Sequence, residues 1–208
     1  MNFNQVLNVL KENANPENVK GMSRFGINQE GTLGISIPFI RKLGKEIKKN
    51  KDINLHNLAL ELWESKIHEA RILSSIIESP ENISLNQAQS WIKDFDSWDV
   101  CDQVCMNLLD RTEFAIDLAS SLTKENEVFV KRAGFALMAA LAFHRHDIED
   151  KICLIFFEAI LNECEDERNF VKKAVNWALR QIGKRNLNLN KIAINYCNMI
   201  LSEKNHSS

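Results

Sequence analysis

The side chains with the clearest chemical potential lie in the segment DSWDVCDQ, from Asp96 to Gln103. If Asp96 or Ser97 caps a helix here, Trp98 falls in its first turn and Asp102 one turn later. Side chains at i and i+4 share one helix face, so an indole and a carboxylate would lie together. The helix N-terminus favours an ionised carboxylate, and a fixed carboxylate beside an aromatic wall suits a developing cation.

The same pair also has a purely structural interpretation. A Trp near a helix start commonly packs in the core, and an early Asp commonly interacts with the helix dipole. On spacing alone this interpretation is the more common one, because such pairs occur in many helical proteins. The five histidines form no i, i+4 pair and no HExxH motif, so neither a zinc site nor any other cofactor is predicted.

The elements that must position this pair are helices. The 208 residues include only three prolines and seven glycines, and alternating apolar runs are scarce, which predicts an all-α protein of one domain, residues 1–208. Apolar spacing predicts helices near residues 2–13, 15–22, 38–50, 55–64, 66–78, 84–94, 97–109, 112–121, 126–143, 148–163, 167–185 and 188–203. Ser84 and Gln87 form a predicted capping box. The glycines between Gly21 and Gly34 match no phosphate-binding spacing and predict a flexible loop.

One helical pattern occurs twice in the chain. The pentapeptide FVKRA begins at Phe129 and FVKKA begins at Phe170, 41 positions later. That period is typical of a two-helix repeat and predicts a short α-solenoid. The repeat matches Lys131 with Lys172 and Arg132 with Lys173. Stacked repeats would gather these cations on one face, and a polyanion is the partner that such a face implies.

The charge distribution supports a local rather than a general basic surface. The net charge is -2 and the isoelectric point is about 6.2, which excludes a basic protein of the histone type. Between 168 and 185, however, six cations occur without an acid: Arg168, Lys172, Lys173, Arg180, Lys184 and Arg185. For any single cation, a solvated helix end remains the simpler interpretation.

Three further patterns concern location and assembly. Five cysteines without a CxxC pair predict a reducing, cytoplasmic environment. The N-terminus lacks the continuous apolar core of a signal peptide, and the longest apolar run, Phe135 to Phe143, is about half of the ~20 residues that a membrane helix needs. No membrane association is therefore predicted. No coiled-coil seam is evident, so a monomer is expected.

Five segments of this chain resemble the DNA alkylation repair family of HEAT-like-repeat DNA glycosylases. They are LGISIPFIRKLGKEI (33–47), LELWESKIHEARILS (60–74), DSWDVCD (96–102), FVKRAGFALM (129–138) and FVKKAVNWALRQIGKRN (170–186). The resemblance spans residues 20–186 in consistent order, and residues 204–208 are expected to form a disordered tail. It implies a crescent of helix pairs whose concave face cradles duplex DNA. The implied activity is excision of cationic N3- or N7-alkylated purines, without a cofactor.

The resemblance also implies roles for individual residues. Trp98 and Asp102 match the catalytic Trp and Asp, Arg132 the essential Arg, and Trp177 a second aromatic wall. Phe25 falls where the family commonly has a Tyr, so stacking is retained and the hydroxyl is lost. The expected phosphate contacts are Lys131, Lys172, Lys173, Arg180, Lys184 and Arg185.

Three functions are left open by the sequence, of which the third, an all-α scaffold with no nucleic-acid role, predicts scattered rather than stacked cations. In the first, Asp102 stabilises the oxocarbenium-like sugar while Trp98 and Trp177 face the deoxyribose and the lesion. In the second, the chain is a non-catalytic module that binds DNA structures or a protein through the same groove. Phe25, and Ser97 in place of the first residue of the family's doubled Trp, are departures that keep this alternative open.

Overall fold

The computed structural model describes the backbone of residues 1–206 and the side chains of residues 1–202. Within those residues the chain is helical and contains no strand. The helices are α1 (Phe3–Glu12), α2 (Pro16–Ser23), α3 (Ile37–Lys48), α4 (Leu55–Glu64), α5 (His68–Ile77), α6 (Leu85–Lys93), α7 (Trp98–Asn107), α8 (Ala115–Leu122), α9 (Val128–His144), α10 (Asp150–Asn162), α11 (Asn169–Gly183) and α12 (Leu187–His206), with a 3-10 turn at Leu109–Arg111. The predicted all-α class and the twelve predicted helices are confirmed, with ends that differ by a few residues.

The chain divides into two compact units. The first runs from Met1 to Thr112 and contains α1 to α7, and the second begins at Glu113 and contains α8 to α12. The single domain predicted over 1–208 spans both units and stays a prediction. The tail predicted at 204–208 begins within the last turns of α12 and otherwise lies outside the described residues. Among residues 1–206, no helix has the length and apolar character that a membrane span requires.

Helix α5 is the central element of the first unit. It packs against α3, α4 and α7, and nearly all of its residues are buried. Beside it, the indoles of Trp63 on α4 and Trp91 on α6 stack with centroids 4.2 Å apart. The guanidinium carbon of Arg71 on α5 lies 5.1 Å from the centroid of the Trp63 ring. This aromatic and cationic packing joins α4, α5 and α6.

The second unit contains the two copies of the repeated pattern. Helix α9 packs between α8 and α11, and its residues from Val130 to Ala142 are buried. The rings of Phe129 and Phe170, which begin the two copies, contact each other with centroids 5.3 Å apart. Equivalent positions of successive repeats therefore lie side by side, as the 41-residue period predicted.

The stretch from Gly21 to Gly34, called the glycine-rich segment below, forms a tethered turn between α2 and α3. Gly21 itself lies in α2. The backbone N–H of His68 donates to the carbonyl of Gly31 over 3.0 Å. The buried carboxylate of Glu69 accepts hydrogen bonds from three successive backbone N–H groups, those of Leu33 (2.9 Å), Gly34 (2.7 Å) and Ile35 (3.1 Å). The expected flexible loop is instead held along its second half by the start of α5.

The predicted capping box is only half formed. The Ser84 hydroxyl accepts from the backbone N–H of Gln87 over 3.2 Å. The amide of Gln87 donates to the carboxylate of Glu78 instead of accepting from the backbone of Ser84. The reciprocal part of the prediction is wrong because a tertiary partner competes successfully with the local one.

Replacing Gly34 should destabilise the first unit. Gly34 has a φ of +78°, and a Cβ at this position would lie 2.2 Å from the carbonyl oxygen of Asn15. We expect Gly34→Ala to lower the free energy of unfolding by about 2–4 kcal/mol. Gly21→Ala is the matched control, since a Cβ at position 21 would meet no atom within 4 Å, and should raise that free energy by about 0.5–1 kcal/mol. Urea unfolding of both variants measures the difference; equal effects would contradict the tethered turn.

Candidate functional site

The indole of Trp98 is anchored to the glycine-rich segment. Trp98 is the first residue of α7, and its Nε1–H donates to the backbone carbonyl of Phe25 over 3.0 Å. The indole is half-buried, whereas the Phe25 ring is 71% exposed. The structure thus brings together two of the aromatic residues that the sequence singled out, although they are 73 positions apart.

The two residues expected to cap α7 bond to the same segment. Ser97 is the N-cap residue, but its buried hydroxyl accepts from the backbone N–H of Asn28 over 3.0 Å. The carboxylate of Asp96 accepts from the side-chain amide of Asn28 over 2.8 Å. Ser97 is thus the N-cap residue that the sequence suggested, but its side chain makes no capping hydrogen bond to α7. These groups join α7 to the segment that also holds Phe25.

His68 on α5 forms an ion pair with Asp99 on α7 that sequence reasoning missed. Its Nε2 lies 2.9 Å from Oδ2 of Asp99, and both side chains are largely buried. Burial by itself lowers the pKa of His68, but the hydrogen bond and charge of Asp99, with the charges of Glu69 and Asp96, outweigh that effect and raise the pKa above its ordinary value. No local spacing rule connects positions 68 and 99, so only the fold reveals this pair.

Asp102 lies one turn after Trp98 on α7 and is half-buried. Asp99 and Asp102 stand at i and i+3, which places both carboxylates on the same side of the helix. The neighbouring Gln103 accepts a hydrogen bond from the guanidinium of Arg41 on α3 over 3.3 Å. Helix α3 therefore runs close to the part of α7 that carries the predicted catalytic acid.

A cavity of about 380 Å³ opens beside this assembly. Its walls include Phe25, His68 and Asp99, together with Ile35 and Ile72. The wall is mainly apolar, and the largely buried pair of His68 and Asp99 forms one side of it. Within the described residues, no cluster of His, Cys, Asp or Glu is arranged to hold a metal ion.

Arg132 and Trp177 lie in the second unit. Arg132 is only 5% exposed, and its Nη1 donates to the backbone carbonyl of Phe170 over 2.6 Å. Trp177 is half-buried on α11, two turns after Phe170. Phe170, at the start of the next repeat, therefore holds the Arg132 guanidinium. The helix of that repeat, α11, also carries Trp177, the second predicted aromatic wall.

The prediction that Lys131 belongs to an exposed basic stripe is wrong. Lys131 is 7% exposed, and its ammonium group pairs with the carboxylate of Glu163 and lies 4.0 Å from that of Asp166. A hydrogen bond from Arg168 also lowers the pKa of Asp166, so this cluster is internally neutralised. The acids just before α11 already bind the Lys131 ammonium group, so an external anion would have to displace them.

Arg185 also has a structural role. Its guanidinium donates to the backbone carbonyls of Ala142 (3.2 Å), Arg145 (2.9 Å) and Ile148 (2.8 Å). These bonds satisfy the end of α9, and they correct the expectation of a phosphate-binding Arg185. The remaining predicted cations of this unit are exposed: Lys172, Lys173, Arg180 and Lys184. Their expected contact with DNA stays a prediction.

An exposed row of cations on α3 was missed by the sequence reasoning. Arg41, Lys45 and Lys48 lie at i, i+4 and i+7, so they share one helix face. Burial lowers the pKa of Lys48, the charge of Arg111 lowers it further, and Glu78 opposes both effects. Arg111 therefore places a further positive charge near Lys48. The charge run RKLGKEIKK (41–49) was the available signal for it.

Comparison with protein families identifies the chain. A family model described as DNA alkylation repair enzyme matches residues 6–203. The chain belongs to this DNA alkylation repair family. A solved structure from a family of proteins related to the HEAT-like repeat DNA glycosylases, with affinity for branched DNA structures, matches with a TM-score of 0.84 and 20% identity. That match covers 96% of this chain and 83% of the other, and it establishes the HEAT-like repeat fold. A search of curated proteins found no match.

Membership of this family confirms the predicted resemblance. Trp98, Asp102 and Phe25 lie in the first unit, where Trp98 and Phe25 are joined by a hydrogen bond. Arg132 and Trp177 lie in the second unit. Their joint action on one DNA substrate stays a prediction.

The repeat offers a direct test of the buried ion pair. Lys131→Ala should lower the free energy of unfolding by about 2–4 kcal/mol, because it leaves the carboxylate of Glu163 without its buried partner. Lys172→Ala removes the same charge from the equivalent exposed position and should change stability by less than about 0.5 kcal/mol. Urea unfolding provides the comparison. Equal stability of the two variants, with weaker DNA binding by both, would restore Lys131 as a phosphate ligand.

Proposed function

We propose that this member of the family is a DNA glycosylase that hydrolyses the N-glycosidic bond of cationic N3- or N7-alkylated purines in duplex DNA. The observation that carries the proposal is the start of α7, where an indole fixed by a backbone hydrogen bond precedes a half-buried carboxylate by one turn. A structural scaffold has no need of a tethered, half-exposed indole beside an acid. We further propose a cytoplasmic monomer.

The chemistry needs a charge-stabilising group more than a general acid. An N3- or N7-alkylated purine is already positively charged and leaves as the neutral base when the C1′–N bond breaks. The sugar then carries the developing positive charge. The Asp102 carboxylate stabilises that charge and orients the water whose oxygen bonds to C1′, and the released proton passes to solvent.

The aromatic residues bind the lesion nucleotide. Trp98 presents an indole face to the deoxyribose, and the exposed ring of Phe25 offers a stacking surface without a hydroxyl. On the second unit, Trp177 supplies the other aromatic wall. Arg132, whose buried guanidinium donates to the carbonyl of Phe170, positions the start of α11, the helix that carries Trp177.

The α3 row replaces Lys131 and Arg185 as a candidate path for the DNA backbone. From Arg41 to Lys48 the row extends about 10 Å along the helix, which corresponds to roughly three phosphates of one strand. Its first member bonds to Gln103, the residue after Asp102. A strand bound along this row would therefore lie close to the proposed catalytic acid. Lys172, Lys173, Arg180 and Lys184 are proposed separately as phosphate contacts of the second unit.

A second candidate function is binding of DNA structures without base excision. It is favoured by the solved relative, whose family has affinity for branched DNA structures. It is also favoured by Phe25, which lacks a hydroxyl, and by Ser97, whose hydroxyl is used by the backbone of Asn28. In this alternative the α3 row and the aromatic residues would bind DNA, and Asp102 would take no part in a reaction.

Removing the Asp102 charge separates the two functions. We expect wild type to release 7-methylguanine and 3-methyladenine from methylated duplex DNA at one fixed salt concentration. Asp102→Asn should lower the single-turnover rate about 100-fold or more, because the transition state loses its counter-charge. DNA affinity should change little. If wild type releases no base above the spontaneous rate but binds branched DNA tightly, the second function replaces the first.

The α3 row predicts a specific salt dependence. Lys45→Gln with Lys48→Gln should weaken the salt dependence of binding. The negative slope of log affinity against log salt concentration should become shallower by about two, since each lost phosphate contact contributes about 0.9. Lys11→Gln with Lys93→Gln is the matched control, because it removes two exposed lysines from other helices of the same unit. Fluorescence anisotropy with duplex and four-way-junction DNA measures both slopes. Equal slopes for the two double variants would exclude this path.

A further inference from the structure

We propose that His68 is a positioning residue, which holds the start of α7 against the glycine-rich segment and thereby fixes the indole of Trp98. Its catalytic consequence rests on the proposed glycosylase function, whereas its effect on Trp98 does not.

His68 contacts both α7 and the glycine-rich segment, the two partners that it would join. Its ring Nε2 lies 2.9 Å from Oδ2 of Asp99, the residue after Trp98. Its backbone N–H donates to the carbonyl of Gly31 in the glycine-rich segment over 3.0 Å. One residue at the start of α5 therefore bonds to α7 through its side chain and to the segment through its backbone.

The hydrogen bonds among α5, the glycine-rich segment and α7 form a closed circuit. The segment held by His68 returns to α7 twice, through Asn28 to Ser97 and through Phe25 to Trp98. A shift of Asp99 must therefore move the indole relative to its carbonyl acceptor, or break another bond of the circuit. The half-buried indole and the exposed ring of Phe25 are the aromatic side chains of the circuit that a ligand can reach.

The pair of His68 and Asp99 is shielded from solvent. His68 is buried, and the Asp99 side chain is 13% exposed, so solvent and salt screen the pair only weakly. Asp99 also accepts a hydrogen bond from the backbone N–H of Val100 over 3.1 Å. The carboxylate is thus fixed at the first turn of α7 by two partners, of which only the imidazole titrates near neutral pH.

The charges around the ring decide how the pair responds to pH. Asp99, Glu69 and Asp96 act on His68 and together raise its pKa despite burial, and Glu17 on α2 lines the same cavity. Arg71, three residues later on α5, is directed towards Asp94 and the Trp63 ring. The folded protein therefore binds this proton more tightly than the unfolded chain. The resulting stability is present below about pH 6.5 and is lost as the pH rises through the raised pKa.

The test is the pH titration of the Trp98 indole N–H signal by NMR. Four indole signals are expected, and Trp98→Phe assigns the relevant one. In wild type, the Trp98 signal should shift with the same midpoint as the His68 ring. In His68→Gln, whose amide still donates to Asp99 but does not titrate, that shift should disappear while the indole remains protected.

His56→Gln is the matched control. His56 forms a comparable pair, with Nδ1 2.8 Å from Oε2 of Glu78, in the same unit but outside the circuit. This variant should leave the titration of the Trp98 signal unchanged. If the Trp98 signal does not titrate in wild type, or titrates alike in wild type and His68→Gln, His68 is not the positioning residue.

A catalytic measurement extends the test. Single-turnover excision, corrected for spontaneous release, should fall in wild type as the pH rises through the His68 midpoint. His68→Gln should be about tenfold slower at low pH and should lack this fall, within the ~100-fold that a displaced group can cost. Wild type that excises nothing while its Trp98 signal titrates would reject the glycosylase proposal and retain the positioning role. Excision with an identical pH profile in both proteins would reject the positioning role alone.

Discussion

The buried carboxylate of Glu69 is the interaction on which the geometry of the first unit depends. A buried charge is costly unless hydrogen bonds compensate it, and three successive N–H groups of the glycine-rich segment do so. Those N–H groups would equally be unsatisfied without the acid. Burial of Glu69 and the path of residues 33–35 are therefore coupled, while the carbonyl of Phe25, earlier in the same segment, is held by the indole of Trp98.

The helices and their repeat could be predicted because both depend on the spacing of residues that are close in the sequence. Apolar periodicity marks each helix, and the matching starts at Phe129 and Phe170 mark the repeat. The pairing of His68 with Asp99 could not be predicted in the same way, since it joins residues 31 positions apart on different helices. The sequence identified Trp98 and Asp102 as candidates, but the interactions that hold the indole appear only in three dimensions.

The charged residues show the same limit of sequence-based prediction more clearly. Lys131 and Lys172 occupy equivalent positions of the repeat, yet one is buried against Glu163 and the other is exposed. Sequence spacing gives the face of a helix, whereas the neighbouring element decides whether that face meets solvent or an acid. The basic run on α3 was overlooked for the converse reason, because its significance comes from the contact between Arg41 and Gln103 on another helix.

The hydrogen bond between Asn28 and Ser97 couples two parts of the chain. The Ser97 side chain is fully buried, and its hydroxyl receives a backbone N–H of the glycine-rich segment. An indole at position 97 would fill that space and lack the acceptor, so the segment would need another path. The serine at position 97 and the route of the glycine-rich segment are thus coupled, so that a change in one requires a change in the other.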